Sequence, residues 1–180
     1  MNTKLKYIVA LTTIIQLFLN YSFAQIKNTK DTSSDLNSLK VSANFPKALG
    51  FVNDFEKILD SVTDAILKDI IIAHQMKSSD QIAIVTVRNI FPYNDIQKYA
   101  TDIGNYWGVG QADKNNGVTI VVSKNIRKAA IAVGLGLEQK LPDSTCQRII
   151  NNVMIPRFKE GNYDKGLTYG LLELIRVLEK

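Results

Sequence analysis

The side chains best suited to chemistry are oxygen-bearing and gather where apolar runs break. The densest group is Asp113-Lys114-Asn115-Asn116-Gly117, and two others are Asn53-Asp54 and the interval from Glu138 to Asp143. A tight loop that brings carboxylates, amides and backbone carbonyls together supplies the ligands of a hard divalent cation. The 113–117 loop is not an EF-hand. Its glycine comes one position early, and Lys124 stands at the twelfth position, where a bidentate glutamate is required. The same residues also describe a plain turn in which Asn and Asp satisfy their own backbone and Gly takes positive φ. Local sequence leaves both readings open. Asp143 is likewise either a ligand or the N-cap of a helix after Pro142. Convergence of the three polar islands in one crevice would favour the cation, because several carboxylates in one pocket need a cation or raised pKa values.

Other chemistries find fewer residues. Gly134-Leu135-Gly136 lacks the third glycine of a dinucleotide fingerprint and does not open a helix directly, and no P-loop lysine follows a glycine-rich turn. His74 is the only histidine, with no partner visible in sequence, and is expected on a helix surface or edge. Cys146, the only cysteine, forms no intramolecular disulfide and sits among apolar helix positions, as a small core residue does. Neither Ser-His-Asp nor Cys-His chemistry can be assembled from this set.

The elements that must hold these loops follow from periodicity. QIAIVTV at 81–87 and GVTIVVS at 117–123 are compact β-branched runs, expected as interior strands covered on both faces. Between them Ile96, Tyr99, Ala100, Ile103 and Tyr106-Trp107 recur at helical spacing, with Asn94 and Gln97 in a capping arrangement. Strand, helix, strand in this order predicts a parallel crossover. A turn at Lys124-Asn125 predicts a third strand over KAAIAV at 128–133, antiparallel to the second.

Ahead of these, residues 48–59 are expected extended, with Asp60 capping a helix over 61–77. Val62, Ala65, Ile66, Ile70, Ala73 and Met76 are its expected inward stripe, widened by Leu67, Ile71 and Ile72. Beyond Pro142, Cys146, Ile149, Ile150, Val153 and Met154 predict one helix, and Gly161-Asn162 caps a last one turning Leu167, Leu171, Leu174, Ile175 and Leu178 inward. The sum is an α/β fold, a three-layer α/β/α sandwich with a small mixed, mainly parallel sheet.

The 180 residues allow one domain with appendages. Lys4 and Lys6 precede an apolar run over 7–19, and Ser22-Phe23-Ala24 offers the small residues of a cleavage site, so residues 1–24 are expected to be a secretory signal peptide. Residues 25–44, polar and poor in aromatics, are expected to be a flexible linker, with the domain over 45–180. Loss of the two lysines takes the formal charge from +5 to +3. With basic residues scattered, no nucleic-acid footprint is expected. Without a second apolar span, the expectation is a periplasmic or secreted monomer with no stable membrane span after cleavage.

The ordered motifs GFVNDFEKIL, QIAIVTV, YWGVGQADKNNGVTIVVS, RKAAIAVGLGLEQKLPD and FKEGNYDKGL resemble the TPM domain over residues 45–180. That family includes thylakoid-lumen proteins linked to photosystem II repair, a receptor-accessory protein and many bacterial exported proteins. The resemblance implies an α/β/α sandwich, binding of Ca2+ or a related divalent ion (Mg2+, Mn2+) in some members, and acid-phosphatase activity in others. Carried onto this chain, the implied metal ligands are Asp54, Asp113, Asn116, Glu138 and Asp143, with Gly117 completing the loop motif and Arg127 at a commonly basic position. Leu135 departs from the pattern, standing where many members place an aromatic between the glycines.

Two functions follow as expectations. The first is an exported, divalent-cation-binding domain acting mainly through a protein partner in envelope or complex maintenance. The alternative is a metal-dependent phosphatase, with Asp54, Asp113 and Glu138 holding a metal that polarises a phosphoryl oxygen and Arg127 contacting the anion.

Overall fold

The β-branched runs form the middle of a four-stranded sheet. Strands β2 (Gln81–Thr86) and β3 (Gly117–Ser123) pair parallel, from Gln81 opposite Gly117 to Thr86 opposite Val122. Strand β1 (Val52–Asp54) adds parallel to β2, with Asp54 opposite Thr86, and β4 (Lys128–Val133) closes the other edge antiparallel to β3. The order β1-β2-β3-β4 makes a mixed, mostly parallel sheet of an α/β fold, as expected. The computed structural model describes residues 45–180, and residues Lys47–Lys180 form one unit. The expected signal peptide (1–24) and linker (25–44) lie outside the described residues.

Alternation along the strands sends side chains to two different covers. On one face Ile82, Ile84, Val118, Ile120, Val122 and Ile131 pack with Leu67 and Ile71 of α1 (Ser61–Ser78) and with Leu167, Leu171 and Leu174 of α5 (Tyr163–Leu178). The other face is made of smaller residues, among them Ala83, Thr119, Ala130 and Ala132, and is covered by α2 (Ile96–Trp107). Gly104 of α2 lies so close to the sheet that a Cβ there would stand 2.4 Å from the Thr119 hydroxyl oxygen. Small residues on both sides let this helix sit near the strands, completing the third layer.

Asp60 caps α1 as expected, accepting from the Thr63 amide at 2.6 Å. Its buried face differs from the expected one. Thr63, Leu67, Ile71 and His74 point inward, while Val62 and Met76 are 66 % and 84 % exposed. Both stripes of α1 are apolar, so periodicity does not choose between them; packing of Leu67 and Ile71 against the sheet does. Helix α2 is capped by Asp95, which accepts from the Gln97 amide at 2.9 Å, and not by Asn94.

The single helix expected after Pro142 is interrupted. It runs as α3 (Asp143–Ile149), a π-helical turn (Ile150–Met154) and α4 (Ile155–Lys159). The wide turn precedes Pro156, whose ring nitrogen cannot donate to the helical ladder. Cys146, Ile149, Ile150 and Met154 are buried as expected. Asp143 is not the N-cap: Pro142 occupies that position, and Asp143 is the first helical residue, where its charge complements the helix dipole.

Candidate functional site

The sheet places the expected ligands at two different ends. Asp54 closes β1 at the end where β2 and β3 also finish. Its Oδ1 accepts from the Thr86 hydroxyl and, at 3.1 Å, from the Ile58 amide, and its Oδ2 accepts from the Leu59 amide at 3.0 Å. The Thr86 hydroxyl oxygen accepts in turn from the Glu56 amide at 3.0 Å. Glu56 then binds the turn between β3 and β4, each carboxylate oxygen accepting one amide, Lys124 at 2.8 Å and Asn125 at 2.9 Å. Arg127 lies in that same turn, exposed, with φ of 55°. The ammonium of Lys124 stands 5.5 Å from the Tyr163 ring. Burial and the charge of Glu56 raise the Tyr163 phenol above its usual range, and Arg127 pulls the other way.

Asn116 precedes β3 at the opposite end of the sheet and is buried. Its Oδ1 accepts from the Gln111 amide at 2.8 Å, its Nδ2 donates to the Ser79 carbonyl at 2.9 Å, and its own carbonyl accepts from the Gln81 amide at 3.0 Å. The side chain therefore ties the loop before β3 to the loop between α1 and β2. The 113–117 loop also packs against the turn that follows β4. Gly136 donates to the Asn115 carbonyl at 3.1 Å, and a Cβ on Gly136 would stand 1.9 Å from the Lys114 carbonyl oxygen. Only glycine permits that approach. Asp113 and Glu138, both exposed, are carried on these two paired loops.

The five expected ligands do not fit one cation. Asp54 sits opposite Val122 through Thr86, and Asn116 lies six residues before Val122, so about 20 Å of strand separates the two ends. The carboxylate of Asp54 is engaged in organising the turn after β1, and the amide of Asn116 in joining two loops. Among the described residues, no three or more His, Cys, Asp or Glu side chains form a metal-holding group. What the fold does bring together is the pair of loops bearing Asp113 and Glu138. Likewise, Arg127 shares an end with Asp54 and not with Asp113.

His74 is buried at 3 % exposure, where a helix-surface position was expected. Its Nε2 lies 3.4 Å from Asp80 Oδ2 and 3.1 Å from Ser78 Oγ, and its Nδ1 lies 3.7 Å from Glu179 Oε1 without a hydrogen bond. Asp80 and Glu179 face different ring nitrogens, so no single cation meets all three. Nor is this a nucleophile triad, which places the serine and the carboxylate on opposite ring nitrogens. Here Ser78 and Asp80 share Nε2, and the Ser78 hydroxyl also contacts the His74 carbonyl and the Asp80 amide at 3.1 Å each. The spacing Leu67, Ile71, His74 was the signal that placed the histidine inward. Glu56 and Thr86 carried no such signal, since their partners come from segments distant in sequence, the β3–β4 turn for Glu56 and the end of β1 for Thr86. Cys146 is buried as expected, and desolvation pushes its thiol up to about 12, leaving it unreactive.

Comparison with known proteins places this geometry. A family model described as the TPM domain matches residues 52–177. The N-terminal domain of a protein from P. gingivalis is similar at 31% sequence identity and a TM-score of 0.67, over 72% of this chain and 82% of that one. A protein from the psychrophilic bacterium Bizionia argentinensis shares the fold at 21% identity and a TM-score of 0.56, over 69% of this chain and 83% of that one. The N-terminal domain of a Corynebacterium glutamicum protein does so at 14% identity and a TM-score of 0.54, over 75% and 82%. No curated protein matches the chain.

Proposed function

Because the chain belongs to the TPM-domain family, we propose that it is an exported binding module that takes up a divalent cation, Ca2+ before Mg2+ or Mn2+, and acts through a protein partner in envelope or complex maintenance. The observation that supports the cation is the backbone-to-backbone packing of the 113–117 loop on the turn after β4, which carries Asp113 and Glu138 on one edge. Two exposed carboxylates, with water filling the remaining positions, make a weak site. The corresponding affinity is that of extracellular calcium modules, a Kd of about 10⁻⁴ to 10⁻³ M. Export rests on the basic, apolar and small-residue order of residues 1–24.

Calorimetric titration with CaCl2 tests the reading. Saturable heat and a raised melting temperature are expected, both lost in the Asp113→Asn/Glu138→Gln double variant and kept in Asp54→Asn. No heat together with an unchanged melting temperature in chelator, or a double variant that binds like the parent, would overturn it. The phosphatase alternative has less support, because Asp54 and Arg127 lie at one end of the sheet and Asp113 at the other. Turnover of an aryl phosphate that disappears in Asp113→Ala would restore it.

A further inference from the structure

A groove of about 300 Å3 runs between the π-helical turn with α4 on one side and α5 on the other, far in sequence from the 113–117 loop. Val153, Arg157, Tyr169, Leu172, Glu173 and Arg176 line it. The inward positions of α5 are filled by its leucines, so Tyr169, Leu172, Glu173 and Arg176, at spacings of three and four, make a second stripe facing outward. Tyr169 and Leu172 are 45 % and 44 % exposed.

The charged residues are held in place. Arg157 Nη1 donates to the Val153 carbonyl at 2.6 Å, which sets its guanidinium 4.4 Å from the centre of the Tyr169 ring. Arg176 makes a two-pronged contact with Glu173, 2.7 Å on each oxygen, and Arg148 reaches the same carboxylate at 3.1 Å. Arg176 and Arg148 thus share the Glu173 carboxylate and Arg157 stands over Tyr169, so two guanidiniums and one carboxylate line the groove, leaving it with an excess of positive charge. Planar guanidiniums already fixed by neighbours lose little freedom on binding and match a carboxylate's two oxygens. Tyrosine and arginine over an apolar floor are also the residues that dominate binding energy at protein interfaces.

We propose that this groove docks an acidic peptide segment of a partner protein. Its carboxylates meet Arg157 and Arg176, and one aromatic or aliphatic side chain lies on Val153 and Leu172 beside Tyr169. The apolar floor of Val153 and Leu172 favours a peptide over a bare anion. The inference goes beyond the cation edge and does not depend on it.

The test uses the full chain and fluorescence anisotropy with a labelled peptide of Asp and Glu carrying one Phe. The control is the same peptide with Asn and Gln in place of the acids. The acidic peptide is expected to bind saturably, the neutral one at least about tenfold more weakly, with binding falling as salt rises. Arg157→Gln/Arg176→Gln should weaken the acidic peptide by about tenfold or more, while Asp113→Asn/Glu138→Gln leaves it unchanged. Should the arginine double variant melt early, Tyr169→Ser alone serves, with a loss of about fivefold expected from its aromatic contacts. The proposal fails if acidic and neutral peptides bind alike, or if the groove variants bind like the parent. It also fails if nothing saturates by about 1 mM, or if inorganic phosphate or phosphatidylserine vesicles bind through the same arginines while the peptide does not.

Discussion

Asp54 and Thr86, register partners on β1 and β2, are joined by a hydrogen bond from the Thr86 hydroxyl to Asp54 Oδ1. Two amides after β1 close on the same carboxylate, and the Glu56 amide closes on the Thr86 oxygen. One side-chain pair therefore fixes the exit of the shortest strand and aims Glu56 at the β3–β4 turn.

Asp54→Ala removes an acceptor used by three donors. A loss of about 2–3 kcal/mol in urea unfolding is expected, with Asp54→Asn milder because one oxygen remains. Calcium heats should be unchanged by either substitution. A stability as high as the parent's would show that water replaces the carboxylate without cost.

Gly104→Ala sets two effects against each other. Alanine gains about 1 kcal/mol of helix propensity over glycine, but its Cβ meets the Thr119 hydroxyl at 2.4 Å, and overpacking costs about 1–3 kcal/mol. Net destabilisation is expected. Thr119→Ala removes the obstructing atom, so the double variant should be more stable than the sum of the singles by about 1 kcal/mol or more. Additive effects would show that α2 shifts outward instead.

Asn116→Ala strands the Gln111 amide and the Ser79 carbonyl at the far end of the sheet. The expected loss is about 2–3 kcal/mol. Hydrogen exchange should report it locally, with the amides of Gln111 and Gln81 losing protection first.

Glu173 gives an acid-sensitive contribution. The Arg176 hydrogen bonds chiefly, with help from Arg148, pull its carboxyl down from 4.5 to about 2. The unfolded chain therefore binds more protons than the folded one between those values. The stabilisation is present above about pH 4.5 and is lost as pH falls toward 2. In melts across that window, Glu173→Gln should flatten the acid limb, and 0.5 M salt should do part of the same to the parent, on the order of the screening expected for a surface cluster.

Strands β2, β3 and β4, the turn at Lys124-Asn125, the caps Asp60 and Asn162 and the buried Cys146 were legible in sequence, because each is set by residues a few positions apart, whereas β1 was expected only as extended chain, its pairing with β2 joining residues some thirty positions apart. The face of α1 was not, since Val62, Ile66 and Met76 are as apolar as Leu67 and Ile71. The same limit hid the partners of His74, one of which, Glu179, comes from the far end of the chain.

Local periodicity and composition by themselves determined the α/β order of elements and the polar loops, because strand and helix patterns repeat every two to four residues, while the family resemblance was carried by five motifs in order. Only the tertiary structure decided which loops meet. Between parallel strands a loop before one and a loop after another fall at opposite ends, so Asp54 parts from Asp113 by the length of β3, and antiparallel β4 returns Glu138 to the end of Asp113. Pairing across the sheet, a relation between residues tens of positions apart, sets that distance.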